Sequence, residues 1–245
     1  MRRFLAEALK IVNAVLGCAG VKLVRAKPAG FDIALAVRRA AGHGFPIRSV
    51  IDIGASDGKW SVESMKAFPQ ASFVAVEPLR ERQGALEKLK QSNPLFDYVL
   101  AVGGDKDGQP VTLTVTADLD GSTVDGAGGE SRSVPMRTLD SIVAEKKLQG
   151  PFMIKFDTHG YELPILAGAV ETLRNTRVIV MEVYNFKITD HALRFHEMCA
   201  HLEQLGFRCY DIADPLLRDH DRALWQMDLL FARSDDKIFA HPNYG

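Results

Sequence analysis

Four side chains in this sequence stand where chemistry is often done, at or just past the ends of apolar runs. Glu77 follows Phe73-Val74-Ala75-Val76, and Asp157 follows Phe152-Met153-Ile154-Lys155-Phe156. Glu182 falls near the end of Val178-Ile179-Val180-Met181-Glu182-Val183, and His159 lies two residues past Asp157. Ligands of open α/β sheets bind in the crevice beyond such strand ends. Carboxylates gathered there accept hydrogen bonds from a ligand's hydroxyls, and an imidazole beside them can take up a proton. An ordinary histidine titrates at about pH 6.5, which makes His159 the best-matched base at neutral pH, with Asp157 orienting it or taking the proton itself. Each residue also has a purely structural reading. Asp157 could cap the following helix, His159 could be a solvated loop residue, and Glu162 a first-turn acid favoured by the helix dipole. Lys155, unusual inside an apolar strand, could pair with a neighbouring acid such as Glu182.

The residues before Glu77 suggest which ligand. Val50-Ile51-Asp52-Ile53 is a short apolar run that predicts a buried parallel strand. It ends in the turn Gly54-Ala55-Ser56-Asp57-Gly58, which leads into a helical segment from Lys59 to Phe68. The glycines allow a close backbone approach, and an acid about twenty residues on accepts from ribose hydroxyls. A dinucleotide site usually spells G-x-G-x-x-G, because a pyrophosphate must rest on backbone N–H groups. Here Ser56 replaces the middle glycine and Asp52 precedes Gly54 by two residues. That D-x-G-x-x-x-G spelling is the one found at S-adenosylmethionine (SAM) sites, where no phosphate is bound. On this reading Gly54, Ala55, Ser56 and Gly58 face the methionine part of SAM, and Glu77 binds the ribose. Asp52 orients the amino group or the turn, and Ala101, after the third strand, lies near adenine. An ordinary strand-to-helix turn with a solvated glutamate is the structural alternative.

The elements that must position these residues alternate along the chain. Helices are expected at Phe31–Gly42, Lys59–Phe68, Leu79–Gln91, Thr138–Lys147, Leu163–Leu173 and Ala192–Leu205. Core strands are expected at Val50–Ile53, Phe73–Val76, Tyr98–Val102, Phe152–Asp157 and Val178–Val183. Val111–Thr116 alternates as a half-exposed strand, Ser133–Met136 as a return strand, and Asp118–Ser131, rich in Gly, Asp and Ser, predicts a mobile loop. Phe207–Ile212 and Met227–Ala232 suit a closing pair. The pattern predicts a doubly wound, mostly parallel seven-stranded α/β sheet with an antiparallel C-terminal strand. The expected division is a helical extension over 1–45, one catalytic domain over 46–235 and a tail over 236–245.

Composition narrows the function classes. The chain has 245 residues, 47% apolar and 25% charged, which suits a globular protein with a sizeable core. A formal net charge of −1 gives no electrostatic footprint for nucleic acid. Three cysteines, Cys18, Cys199 and Cys209, form neither a disulfide framework nor a zinc spacing, and a reducing, cytoplasmic setting is expected. Met1–Val24 opens on Arg2 and Arg3, but Glu7, Lys10 and Asn13 break its apolar stretch, so it predicts neither a secretory signal nor a membrane span. Phe4, Leu5, Ala8, Ile11, Val12 and Val15 fall near helical spacing. They predict an amphipathic helix that packs on the domain or on a second copy in a homodimer, with a membrane-surface helix as the alternative.

The string Lys155-Phe156-Asp157-x-x-Gly160-x-Glu162-Leu163-x-x-Leu166-x-Gly168-Ala169, together with Ile51-Asp52-Ile53-Gly54-Ala55, Glu77-Pro78 and Thr138-Leu139-Asp140, resembles the FkbM-type SAM-dependent methyltransferases. The resemblance spans Ser49 to Arg233. It implies a class I methyltransferase fold, conversion of SAM to S-adenosylhomocysteine (SAH), and O-methylation of a sugar, glycan or secondary metabolite. Many members carry glutamate or glutamine where this chain has His159, so the base assignment is not inherited from the motif. Asp157, Glu182 and His159 would also suit Mg²⁺, but their spacing is not a dedicated ligand pattern and no metal is expected. The other readings are a catalytically silent SAM-binding protein and a nucleotide-dependent oxidoreductase.

Overall fold

The computed structural model describes residues 30–124, 126, 128–190 and 192–243; the helix expected within Met1–Val24 lies outside them. All elements below belong to the unit Phe31–Gly245. In chain order they are α1 (Ile33–Gly42), β1 (Ser49–Ile53), α2 (Lys59–Ala67), β2 (Ser72–Val76), α3 (Gln83–Ser92), β3 (Phe96–Val99), β4 (Val102–Gly103), β5 (Pro110–Val115), β6 (Thr123–Val124), β7 (Glu130–Arg137), α4 (Leu139–Glu145), β8 (Phe152–Phe156), α5 (Glu162–Ala167), α6 (Val170–Arg174), β9 (Thr176–Tyr184), α7 (Phe195–Gln204), β10 (Phe207–Leu217) and β11 (Leu224–Arg233).

Seven strands form one sheet in the order β10-β11-β9-β8-β1-β2-β3. β1, β2, β3, β8 and β9 pair in parallel. Helices cover both faces of such a sheet, so its strands are mostly apolar; every residue of β1 and β8 is buried, the charged Asp52 and Lys155 included. One core, with Ile51, Phe156 and Met181, lies on one face, and a second, with Val50, Phe73 and Met153, lies on the other. α1 closes part of the second face. Asp32 caps it by accepting from the Leu35 N–H at 3.2 Å, and its Ala36, Val37 and Ala40 are buried.

The closing pair sits together at one rim of the sheet as expected, with β11 antiparallel to both β9 and β10 and β10 as the edge. Three expectations change in detail. The single helix expected over Leu163–Leu173 is two, α5 and α6. Gly168 separates them because a Cβ there would sit 1.9 Å from the Gly104 carbonyl oxygen. The Asp140 carboxylate then accepts from the Glu171 and Thr172 N–H groups at 3.0 and 2.8 Å and starts α6 afresh. The third strand ends at Val99, and Val102–Gly103 joins β7 in a separate four-stranded sheet, β4-β7-β5-β6. Within the segment expected as a loop, Thr123–Val124 pairs with Leu113–Thr114 of β5.

Candidate functional site

The tips of β1, β2, β8 and β9 open into a cavity of about 310 Å³, within the usual range for a small-molecule site. Gly54, Ser56, Glu77, Ala101, Asp157 and His159 line it, as does Glu182. Asp52, Ala55 and Gly58, expected to contact the cofactor, do not line it. Ala55 is buried in the core, and Gly58 is the residue from which α2 starts. The second sheet covers the crevice with Leu113 and Val124, and the connection between β5 and β6 with Leu119 and Ser122. The sequence carries no local signal for that cover, since it depends on where β5 and β6 fold over.

The glycine turn is held in place by two strands and an acid. Gly54 has φ +73°, and a Cβ there would lie 1.8 Å from the Asp157 carbonyl oxygen, so only glycine lets β1 and β8 converge at this tip. Glu77 is 4% exposed. One carboxylate oxygen accepts from the Ser56 N–H at 2.8 Å and the other from the Leu79 N–H at 2.9 Å. Each oxygen keeps a lone pair for a ligand hydroxyl. Burial pushes the Glu77 pKa up to about 7 against those hydrogen bonds. Arg82, a lining residue, is already ion-paired with Asp120.

The second half of the site is a buried charge network set by strand register. β1 and β8 bring Asp52 opposite Lys155. Lys155 is 5% exposed, and its Nζ lies 2.6 Å from Asp157 Oδ2 and 3.9 Å from Asp52 Oδ1, over the Trp60 ring. Asp52 is wholly buried; its Oδ2 accepts from the Ser61 hydroxyl at 2.7 Å, while Oδ1 makes no hydrogen bond. Burial raises the Asp52 pKa, although Lys155 and Ser61 oppose this. Burial would raise the pKa of Asp157 too, but the charge of Lys155 and the hydrogen bonds from His159 and Lys155 hold it well below the carboxylate range. The partner of Lys155 is thus the pair Asp52–Asp157, and Glu182 is not needed to balance it.

His159 has φ +51° in the turn after β8. Glu162 secures this turn by accepting from the Gly160 N–H at 2.8 Å and the Thr158 hydroxyl at 3.0 Å, which gives it a structural role. Thr123 donates to the His159 carbonyl at 2.9 Å. The ring's Nε2 faces Asp157 Oδ1 at 3.4 Å and Glu182 Oε2 at 3.6 Å, and Nδ1 lies 3.4 Å from the Ser122 carbonyl. Burial lowers the His159 pKa, but the hydrogen bond and charge of Asp157 and the charge of Glu182 lift it to about 9. At neutral pH the imidazole therefore keeps the proton that its ordinary value would have released. Burial and the charge of Asp157 push Glu182 up to about 7. The Tyr184 hydroxyl and the Gln226 amide donate to the two Glu182 oxygens. Tyr184 and Gln226 are further site residues that spacing did not single out.

Among known proteins, the model of the Methyltransferase FkbM domain matches residues 52–209. The 2-O-methyltransferase NoeI of Sinorhizobium fredii is 26% identical over 157 residues, which cover 54% of this chain and 62% of that protein. The matched region thus spans less than two thirds of that relative. Similar solved structures include the SAM-bound magnesium protoporphyrin IX methyltransferase of Synechocystis, at 10% identity and TM-score 0.47 over 82% of this chain and 78% of that one. Another is the 1,6-didemethyltoxoflavin-N1-methyltransferase of Burkholderia thailandensis, at 11% identity and TM-score 0.47 over 96% and 87%. No helix among the described residues is long and apolar enough to cross a membrane. The FkbM match takes in Asp52, the glycine turn, Glu77 and the whole Asp157–Glu182 cluster, and on it this chain belongs to the methyltransferase FkbM domain family.

Proposed function

We propose that the protein is a SAM-dependent O-methyltransferase acting on a hydroxyl of a sugar, glycan or secondary metabolite. The observation that carries this reading is one cavity in which the Gly54–Ser56 turn and Glu77 lie at one side and Asp157, His159 and Glu182 at the other. Its lining suits SAM better than a nucleotide. Its arginine, Arg82, is already paired with Asp120 and so is not free to hold a pyrophosphate. The carboxylates of Glu77, Asp157 and Glu182 can face a ligand carrying sulfonium and ammonium charges. When bound, SAM supplies an activated methyl group on its sulfonium. The 2-O-methyltransferase name of the Sinorhizobium relative supports a hydroxyl acceptor.

The chain's own part is to hold the two reactants. Gly54 and Ser56 offer backbone to the methionine portion, with Ala55, Gly58 and Asp52 fixing the turn from behind. Glu77 takes the ribose hydroxyls, and Ala101 lies against the base. Asp157 Oδ1, His159 Nε2 and Glu182 Oε2 face a common point where an acceptor hydroxyl can donate its proton. These three titrate as one group. Alignment of the acceptor oxygen with the methyl group can contribute about 7–11 kcal/mol to lowering the barrier.

Calorimetry with purified protein is expected to show binding of SAM and SAH and none of NAD or ATP. Binding of NAD or ATP without SAM would overturn the cofactor assignment. Glu77→Ala is expected to weaken SAH binding by about 1.5–3 kcal/mol, the range for hydrogen bonds to a charged group. An unchanged affinity would remove Glu77 from the ribose role.

A further inference from the structure

Asp157, His159 and Glu182 come from the end of β8, the turn after it and β9, yet their ligating atoms all lie within 4.8 Å of one another. Two features distinguish them from a chance meeting of polar groups. The first is the direction of the lone pairs. The Ser122 carbonyl 3.4 Å from Nδ1 can accept the proton of that nitrogen, so that once Nε2 gives up its own proton its lone pair points at Asp157 Oδ1 and Glu182 Oε2. Three donor atoms then converge on one point, which either that proton or a cation can occupy. A hydrogen bond from the distal ring nitrogen to a carbonyl is also how metal-bound histidines are held.

The second feature is the support behind the carboxylates. Asp157 Oδ2 is taken by Lys155, and the Glu182 oxygens are steadied by Tyr184 and Gln226. Carboxylates fixed in this way are characteristic of metal ligands. The spacing suits an octahedral ion. With ligands at about 2.1 Å, cis donors sit about 3.0 Å apart and trans donors about 4.2 Å; the 3.4 and 3.6 Å from Nε2 to the two carboxylates approach the cis value to within about half an ångström, and the two carboxylates lie within 4.8 Å of each other. One nitrogen and two carboxylate oxygens favour Mg²⁺ or Mn²⁺ over thiophilic ions.

We propose that Asp157, His159 and Glu182 bind one divalent cation of the Mg²⁺ or Mn²⁺ class, leaving the remaining coordination positions for acceptor hydroxyls. The inference deepens the O-methyltransferase reading and rests on it for the acceptor. The ion takes the place of the proton shared by the cluster, and a hydroxyl bound to it ionises more readily.

The test is Mn²⁺ binding to the chelator-treated full chain, followed by loss of the free-ion electron paramagnetic resonance signal, with SAH calorimetry on the same samples. One Mn²⁺ per chain is expected, competed by Mg²⁺. Glu182→Gln and His159→Gln should each weaken it more than about 10-fold, with SAH affinity kept as the sign of an intact fold. Tyr184→Phe, which leaves all three ligands in place, should weaken it to a smaller degree and serves if either other variant does not fold. No Mn²⁺ binding by wild-type protein that binds SAH would overturn the cation site and leave the cofactor reading standing. Mn²⁺ binding unaffected by these variants would likewise overturn it, by placing the ion elsewhere. Mn²⁺ bound at the cluster by a protein that does not bind SAH would support the site and count against the cofactor reading alone.

Discussion

His159→Ala is expected to slow methyl transfer by about 10²–10⁴-fold, the contribution of a positioned group that handles a proton, while SAH affinity stays close to that of the wild type. The separation follows from geometry. His159 lies between Asp157 Oδ1 and Glu182 Oε2 at the acceptor side, whereas the glycine turn is held by Glu77 through Ser56 and Leu79. Removal of the imidazole leaves two carboxylates facing each other with nothing positive between them, and an acceptor hydroxyl loses its anchor. Transfer of label from methyl-labelled SAM into fractionated cell extract gives the rate. Near-normal turnover in the alanine variant would move the chemistry off the cluster. A parallel loss of SAH binding would mean that the substitution had damaged the cofactor side as well.

The second large effect is on stability. Lys155 counters both Asp157 and the wholly buried Asp52. Lys155→Met keeps the length of the side chain and removes its charge. Loss of one partner of a buried ion pair typically costs about 3–5 kcal/mol; the lower end is expected here, because Asp157 opens onto the cavity. The sign of the pH dependence follows from linkage. Without Lys155 the folded-state pKa values of Asp52 and Asp157 rise above those of the unfolded chain, so the folded variant binds protons more tightly. Its stability is therefore regained as pH falls toward the unfolded carboxylate value of about 3.9 and lost as pH rises through the raised values. Urea midpoints for variant and wild type should accordingly lie far apart at pH 8 and converge as the pH is lowered. A midpoint equal to that of the wild type at pH 8 would show that the network carries no such role.

Much of this arrangement is legible in the sequence, because strand ends and apolar runs are local signals. Val50–Ile53, Phe73–Val76 and Phe152–Phe156 place Gly54, Glu77 and Asp157 at one edge of a parallel sheet before any contact is known. What a local signal cannot supply is the meeting of distant side chains. Lys155 reads as a partner for Glu182 until strand register sets it opposite Asp52. His159 reads as an ordinary imidazole until Glu182, 23 residues further on, faces it at 3.6 Å. The break between α5 and α6 depends on the Gly104 backbone lying against Gly168, and helical periodicity runs straight through it. The cover supplied by Leu113 and Val124 comes from a second sheet whose placement no spacing announces.

The central claim is methyl transfer from SAM to oxygen, and it is tested most directly by following the methyl group. Protein incubated with ¹³C-methyl SAM and fractionated cell extracts, with divalent cations present, is expected to release SAH and to yield a product whose labelled carbon is an O-methyl group by nuclear magnetic resonance. That signal should be much reduced with His159→Ala, although the variant still binds SAH. Label recovered on nitrogen or carbon, or SAM bound tightly with no SAH formed from any fraction, would contradict the account.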